Sequence, residues 1–172
     1  FLPRPPFMDL IALQAREVKK HVGAVHVSGR LSLMQRKVSN VLLMNAYEDL
    51  LGKDVHRIAV KDLAEIVGFD SNNRAVLKDA VKSLMSLVLE WNILDARGRE
   101  GWEAMPMLSY AAIKGGYCSY AYPEQLKEKF YNPEIYARIS IGMQRKFSSG
   151  YALTLHENLV RFRKVGSSGW LT

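Results

Sequence analysis

Apolar residues recur at helical spacing in two long stretches of the chain. In the first stretch the repeating positions are Met34, Val38, Val41, Leu42 and Ala46. This spacing predicts a helix with one buried face. Ser32 and Gln35 match the S-x-x-Q form of the capping box, which places the start of the helix at Ser32, and Gly52 supplies a stop.

The second stretch follows a polar turn. Its repeating apolar positions are Leu77, Val81, Leu84, Met85 and Val88. The turn offers three favourable N-caps, which are Ser71, Asn72 and Asn73. We therefore expect a helix from Arg74 to about residue 89. Before the turn, residues 61–67 predict a shorter helix that ends at Gly68, and residues 56–60 predict a strand because they are rich in β-branched side chains.

Two β-prone stretches, residues 102–110 and 117–122, follow the second helix. They are joined across Lys114, Gly115 and Gly116. Because a Gly-Gly pair can take the positive φ angles of a tight turn, this pattern predicts a β-hairpin.

Shorter elements are expected on both sides of this region. Strands are predicted at residues 24–27 and 136–141, and helices at residues 10–20, at 124–130 and from Ser148 or Ser149 onward.

The order of strand, short helix, turn, longer helix and β-hairpin over residues 56–122 is that of a winged helix-turn-helix, whose second helix enters the major groove of DNA. We therefore expect an α+β fold, a winged helix-turn-helix domain with a β-hairpin wing and extra N- and C-terminal helices.

Charge and composition narrow the kind of partner. The 172 residues carry a formal net charge of +7, with a pI near 9.5, which favours a polyanion such as nucleic acid. No stretch approaches the roughly 20 apolar residues of a membrane-spanning helix, so no membrane partner is expected. Cys118 is the only cysteine, which excludes an intrachain disulfide and favours a cytoplasmic protein with a buried thiol.

Polar and basic residues on the second long helix and at the hairpin turn are the candidate DNA contacts. They are Asn72, Asn73, Arg74, Lys78, Lys82 and Lys114. At the start of the helix, Asn suits adenine and Arg suits guanine, whereas the lysines suit phosphates. Asp79, a negative charge between Lys78 and Lys82, weakens the electrostatic argument that this helix binds DNA. For any single exposed lysine, the alternative role is to keep the protein surface soluble.

A second basic cluster lies near the C-terminus. Residues 136–172 hold six Lys or Arg against one acid, Glu157. Arg145 and Lys146 come just before the expected serine cap, and cations beside a helix N-terminus suit a phosphate. A solvated basic face is the alternative.

Two sequence motifs resemble those of a known family. Residues 31–43 contain LSLMQRK and NVLL, which resemble the first core helix of iteron-binding plasmid replication initiators, the Rep proteins. Residues 147–157 are similar to that family's S-x-Y-A-L-x-L-Y-E segment, with His156 in place of the usual Tyr. The resemblance covers nearly all of residues 22–166.

Such a resemblance implies two tandem winged-helix domains, of which this chain corresponds to the first. We expect residues 1–21 to be an N-terminal arm with a short helix, residues 22–168 the winged-helix domain, and residues 169–172 the start of a truncated second winged-helix domain. In the family the first domain binds part of the repeated origin sequence, the iteron, and forms the dimer interface of the repressor form. The implied partners are double-stranded origin DNA, a second copy of the chain and host replication proteins. The hairpin over residues 102–122 is the expected dimerisation element, because an unpaired strand edge can pair with another chain.

The sequence lacks four motifs that are typical of enzymes. It has no H-x-H pair of a rolling-circle initiator, no phosphate-binding loop, no dinucleotide glycine motif and no H-E-x-x-H zinc motif. We therefore predict a non-enzymatic protein without cofactor or metal.

The predicted function is that of a DNA-binding and dimerisation domain of a plasmid replication initiator, which recognises iterons and controls plasmid replication and copy number. A winged-helix transcriptional regulator and a pure dimerisation module are the alternatives.

Overall fold

The computed structural model describes residues 17–21, 31–94, 99–131 and 136–162. Within these residues the strands are β1 Glu17–His21, β2 His56–Ala59, β3 Val88–Leu94, β4 Glu100–Pro106, β5 Tyr110–Lys114, β6 Tyr117–Ala121 and β7 Tyr136–Ser140. The α-helices are α1 Leu33–Ala46, α2 Val60–Val67, α3 Arg74–Ser86, α4 Glu124–Phe130, α5 Ile141–Arg145 and α6 Gly150–Phe162. A 3-10 turn, Tyr47–Asp49, continues α1.

Helix α1 is the central helix of the core. The predicted capping box fixes its start: the Ser32 hydroxyl accepts from the Gln35 backbone N–H at 3.2 Å, and the Gln35 side-chain oxygen accepts from the Ser32 N–H at 2.9 Å. The predicted apolar stripe is buried except for Met34, which is half-buried. The α-helix ends at Ala46, before the expected stop at Gly52, because the chain tightens there into the 3-10 turn.

Helices α2 and α3 and a three-stranded sheet form the winged-helix unit. Strand β2 pairs antiparallel with β6, and β6 with β5. Gly68 ends α2 with a φ of 89°, and the Asn73 side chain caps α3 by accepting from the Val76 N–H at 3.4 Å. The turn between β5 and β6 has φ angles of 59° at Gly115 and 79° at Gly116, a region that favours glycine. The predicted α+β winged helix-turn-helix with a hairpin wing is confirmed.

Two predicted boundaries near the wing are wrong. Helix α3 ends at Ser86, not near residue 89, and the following residues form β3, which pairs antiparallel with β4. The first wing strand is therefore Tyr110–Lys114, and most of the strand predicted over 102–110 belongs to a separate hairpin, β3–β4. The apolar pattern did not separate these elements, because Val88 suits both a helical stripe and a strand.

A strand replaces part of the helix predicted near the N-terminus. Residues 17–20, expected in a helix over 10–20, belong to β1, which pairs antiparallel with β7 and places Lys19 opposite Arg138. Pairing with a strand distant in sequence overrides the local helical pattern. The pairing attaches β1 to the rest of the fold. The strand predicted at 24–27 lies outside the described residues.

The C-terminal elements agree with the predicted ones, with one addition. Helix α4 occupies the predicted range, β7 ends at Ser140, one residue before its predicted end, and α6 begins at Gly150, directly after Ser149. The short helix α5 was not predicted. It is capped by the Ser140 hydroxyl, which accepts from the Met143 N–H at 3.2 Å.

A buried polar network joins α1, α5 and α6. The side chains of Arg36 and Glu157, 1% and 0% exposed, approach each other to 3.5 Å. The Asn40 amide donates to Glu157 Oε1 and to Gln144 Oε1, both at 2.9 Å. The Gln144 amide donates to the Lys37 backbone oxygen at 3.5 Å. Because buried charges are tolerated only when they are paired and hydrogen-bonded, this network fixes the position of α6 against α1.

His56 is buried among aromatic side chains at the start of β2. Its ring centroid lies 5.7 Å from that of Tyr120 and 6.3 Å from that of Tyr122. Burial, with a further contribution from the Lys127 ammonium group, lowers the pKa of His56 below its ordinary value of 6.5. The folded protein therefore holds His56 as neutral imidazole.

Acidification is expected to destabilise the fold through His56. Below about pH 6.5 the unfolded chain binds a proton at His56 more readily than the folded protein does. The contribution of His56 to the free energy of unfolding is therefore full above that pH and decreases as the pH falls toward the lowered folded-state pKa. Urea unfolding of the wild type and of His56→Gln at neutral and acidic pH measures this effect. The wild type should lose more stability than the variant, and equal losses would contradict the assignment.

Candidate nucleic-acid interface

Helix α3 presents a line of exposed cations. Arg74, Lys78 and Lys82 are four residues apart in sequence and therefore lie on one side of the helix. The buried residues of the helix, which face the core, are Leu77, Ala80, Val81 and Leu84. Met85, which was expected in the apolar stripe, is instead 38% exposed. None of the three cations forms an ion pair with a residue that the structure describes. The exposed Asp79 lies roughly 100° around the helix from Lys78, so the line of cations remains continuous.

The two asparagines before α3 have different surroundings. The Asn73 side-chain oxygen is engaged as the helix cap, which restrains this side chain against turning toward a base. Asn72 is exposed, and its backbone is held on both sides: its N–H donates to the Asp70 carboxylate and its oxygen accepts from the Arg74 N–H, both at 2.9 Å. Its side chain forms no hydrogen bond with a described residue. Asn72 is therefore the better placed of the two for the predicted base contact. Base contacts by either residue stay a prediction.

The wing tip lies against the start of α2. The Val60 N–H donates to the Gly116 backbone oxygen at 2.9 Å, which ties the turn of the wing to the first residue of the helix. The space on the side-chain side of both Gly115 and Gly116 is open. Lys114 beside them is exposed. The tip therefore allows close approach of a partner's backbone.

A cleft of about 170 Å³ opens between the wing tip, the start of α2 and the turn before α3. Its lining includes the cations Lys61, Arg74 and Lys114 and the hydroxyl-bearing Ser71. The structure thus brings together two of the predicted contact residues, Arg74 and Lys114, on one cleft. Lys61 was not predicted from the sequence. No signal in the sequence pointed to it, because α2 reaches the wing tip through the pairing of β2 with β6, which places Ala59 opposite Tyr117.

The described part of the second predicted cluster does not contribute to this cleft. Lys146 is exposed at the C-terminal cap of α5, and it does not line the cleft. The side chain of Arg145 lies outside what the structure describes. Helix α6 begins against the start of α1, with Gly150 packed near the Leu33 backbone. A phosphate-binding role for Arg145 and Lys146 stays a prediction.

The described residues provide little that suggests metal or nucleophilic chemistry. Among them, no group of three or more His, Cys, Asp or Glu side chains is arranged to hold a metal ion. Cys118 is fully buried, as predicted, and burial raises the pKa of its thiol to about 11, which keeps the thiol protonated and unreactive. None of the described helices is long and apolar enough to cross a membrane. The absence of enzyme activity and of a cofactor stays a prediction.

The two helices, the hairpin wing and the three-stranded sheet define a winged-helix domain. The family described as "Initiator Replication protein, WH1" matches residues 17–160. The chain belongs to this family. The resemblance of residues 31–43 and 147–157 to replication initiators is therefore confirmed.

Two solved structures share the fold. The chain is similar to the Pi initiator protein, solved in complex with iteron DNA, with a TM-score of 0.68 and 15% sequence identity over 86% of this chain and 64% of that chain. It is also similar to the WH1 domain of MSBI1.176, a replication protein isolated from a multiple sclerosis patient, with a TM-score of 0.52 and 14% identity over 72% of this chain and 92% of that one. No curated protein sequence shows significant similarity to the chain.

The chain spans 64% of the length of the Pi initiator. The expected division into residues 1–21, 22–168 and 169–172 stays a prediction.

Proposed function

We propose that this chain is the part of a plasmid replication initiator that binds double-stranded DNA at iterons and so controls plasmid replication and copy number. Membership of the initiator family supports the role in replication. The similar Pi initiator is a protein that binds iteron DNA. The observation that carries the proposal is the line of exposed cations on α3, which ends beside the basic wing tip at Lys114.

The geometry suits a duplex. A major groove admits one α-helix, and α3 can enter it with Arg74, Lys78 and Lys82 toward bases or phosphates. The wing then reaches a neighbouring phosphate through Lys114. The net charge of +7 supplies long-range attraction to the polyanion.

Binding of this kind needs no covalent step. We therefore propose a protein without enzyme activity or cofactor, which acts in the cytoplasm and brings host replication proteins to the origin. The buried, protonated Cys118 and the lack of a metal-binding group in the described part of the chain are consistent with that role.

Titration of a labelled duplex that carries the origin repeats, followed by fluorescence anisotropy at several salt concentrations, tests the proposal. The logarithm of the binding constant should fall linearly with the logarithm of salt concentration, with a slope near −0.9 for each phosphate neutralised. A scrambled duplex is the control, and preference for the repeats supports iteron recognition. Absence of binding even at low salt would contradict the proposal, and preference for an unrelated promoter duplex would favour a transcriptional regulator.

A second function, dimerisation through the β3–β4 hairpin, rests on a separate observation. Within the described residues, each strand of this two-stranded sheet has one edge without a strand partner. Trp102 is 67% exposed, and Val88 on the same face of the hairpin is 43% exposed. An open strand edge beside exposed apolar side chains is suited to pairing with another chain. The hairpin that we propose for dimerisation is therefore β3–β4, part of which was predicted within residues 102–122.

Trp102→Glu is expected to weaken self-association. Removing a large aromatic contact from the centre of an interface costs about 2 kcal/mol or more, which corresponds to a rise of roughly thirtyfold in the dimer dissociation constant. Light scattering over a concentration series measures the change. Tyr151→Glu is the control, because Tyr151 is an exposed aromatic residue outside the hairpin, 90% exposed on α6. Equal association of the wild type and Trp102→Glu would contradict dimerisation through this hairpin.

A further inference from the structure

We infer that the cleft between the wing tip, the start of α2 and the turn before α3 binds one phosphate group of a DNA backbone, held jointly by Lys61, Arg74 and Lys114. The inference rests on the proposed DNA binding. It adds a binding residue, Lys61, and gathers three separate segments of the chain around a single ligand group.

The charge of the cleft is the first argument. Three cations line it, and no carboxylate of the described residues does. None of the three is neutralised by an ion pair with a described residue. Three like charges around a space of about 170 Å³ repel one another and concentrate a positive potential there, which a bound anion relieves.

The backbone around the cleft is the second argument. The hydrogen bond from the Val60 N–H to the Gly116 oxygen holds the wing tip and α2 together, so Lys61 and Lys114 stay on the same opening. Ala59, the N-cap of α2, provides no side-chain hydrogen bond to the helix. The Val60 N–H is engaged by Gly116, but the other first-turn N–H groups lack a side-chain cap, and a phosphate oxygen beside the same cations is a suitable acceptor for them.

The position of the cleft identifies the source of the phosphate. Arg74 belongs both to the cleft and to the line of cations that continues along α3 through Lys78 and Lys82. A phosphate held in the cleft is thus continuous with a duplex that lies along α3. Since phosphate contacts fix register and orientation on the duplex, this site would set how far α3 enters the groove. Free phosphate shares the same chemistry and is separated by the second arm of the test.

Duplex titration of the wild-type chain, Lys61→Gln and Lys53→Gln tests the site. Lys53 is the matched control, because it is an exposed lysine that pairs with Asp49 and does not line the cleft. Lys61→Gln should make the slope of the logarithm of the binding constant against the logarithm of salt concentration shallower by about 0.9, the value for one phosphate contact. It should also weaken binding uniformly across duplex sequences. Lys53→Gln should leave the slope unchanged. Equal slopes for the two variants, with a wild type that binds, would overturn the inference while leaving the proposed function intact.

Titration with inorganic phosphate, followed by amide NMR shifts of the wild type and Lys61→Gln, probes the cleft without DNA. Saturable shifts at Lys61, Gly115 and Gly116 that weaken in the variant support the site. If these shifts occur but Lys61→Gln binds duplex like the wild type, the ligand is free phosphate and the DNA inference is overturned. If no duplex binds to the wild type at low salt, the proposed function itself fails.

Discussion

Replacing Arg74, Lys78 and Lys82 together by glutamine is expected to lower duplex affinity by on the order of a hundredfold, taking about 1 kcal/mol for each lost contact. The salt dependence should also become shallower, by roughly 0.9 for each phosphate contact removed. The fold should be unaffected, because all three side chains are exposed and none is in an ion pair with a described residue. Anisotropy titrations between low and physiological salt, with urea unfolding as a check of stability, measure both effects.

Asp79→Asn is the opposing control for this experiment. Asp79 is exposed on the same helix, so removing its negative charge should strengthen binding. An unchanged affinity of the triple variant would contradict the role of α3. In that case Lys146→Gln becomes the informative variant, because it tests whether the C-terminal basic cluster is the true interface.

Elements with a local signal in the sequence could be predicted. The start of α1 depends on Ser32 and Gln35, three residues apart, and the structure contains both hydrogen bonds of the box. The tight wing turn depends on the two adjacent glycines with positive φ. Such features need no knowledge of the rest of the chain.

Elements that depend on a strand partner distant in sequence could not be predicted from the sequence. Strand β1 exists because it pairs with β7, and its own residues suggested the end of a helix. The change from α3 to β3 after Ser86 likewise depends on pairing with β4. In both places tertiary hydrogen bonding outweighs the local pattern.

In the candidate site, too, the features with a local sequence signal could be predicted and those that depend on distant pairing could not. Cations on the exposed side of α3 follow from helical spacing, so Arg74, Lys78 and Lys82 were predicted. The contribution of Lys61 was not, because the cleft forms only when β2 pairs with β6 and the wing tip reaches α2. A site assembled from separate segments is visible only in the folded chain.

The charges in the core were the least predictable feature. Arg36 lies in a stretch, LSLMQRK, that the residue types alone would place partly at the surface, yet its side chain is buried. Burial lowers the pKa of the Arg36 guanidinium group, and the Glu157 carboxylate opposes that change. The pairing of the two opposite charges helps the core to accommodate both.

Glu157→Gln is therefore expected to destabilise the fold by about 3–5 kcal/mol, since it removes the Glu157 carboxylate that pairs with the buried guanidinium group. The double variant Arg36→Met, Glu157→Leu should recover much of that loss, because it removes both charges. Urea unfolding measures the free energy of unfolding of each variant. Asp49→Asn at the exposed pair Lys53–Asp49 is the control, and it should change stability by less than about 1 kcal/mol.

The same variants separate stability from DNA binding. The contacts that the structure describes in this network join α1, α5 and α6, and none of them involves a residue of α3 or of the wing. At a temperature where Glu157→Gln remains folded, its duplex affinity and salt slope should therefore equal those of the wild type. A lower affinity in the folded variant would contradict this independence and would mean that the position of α6 contributes to the interface.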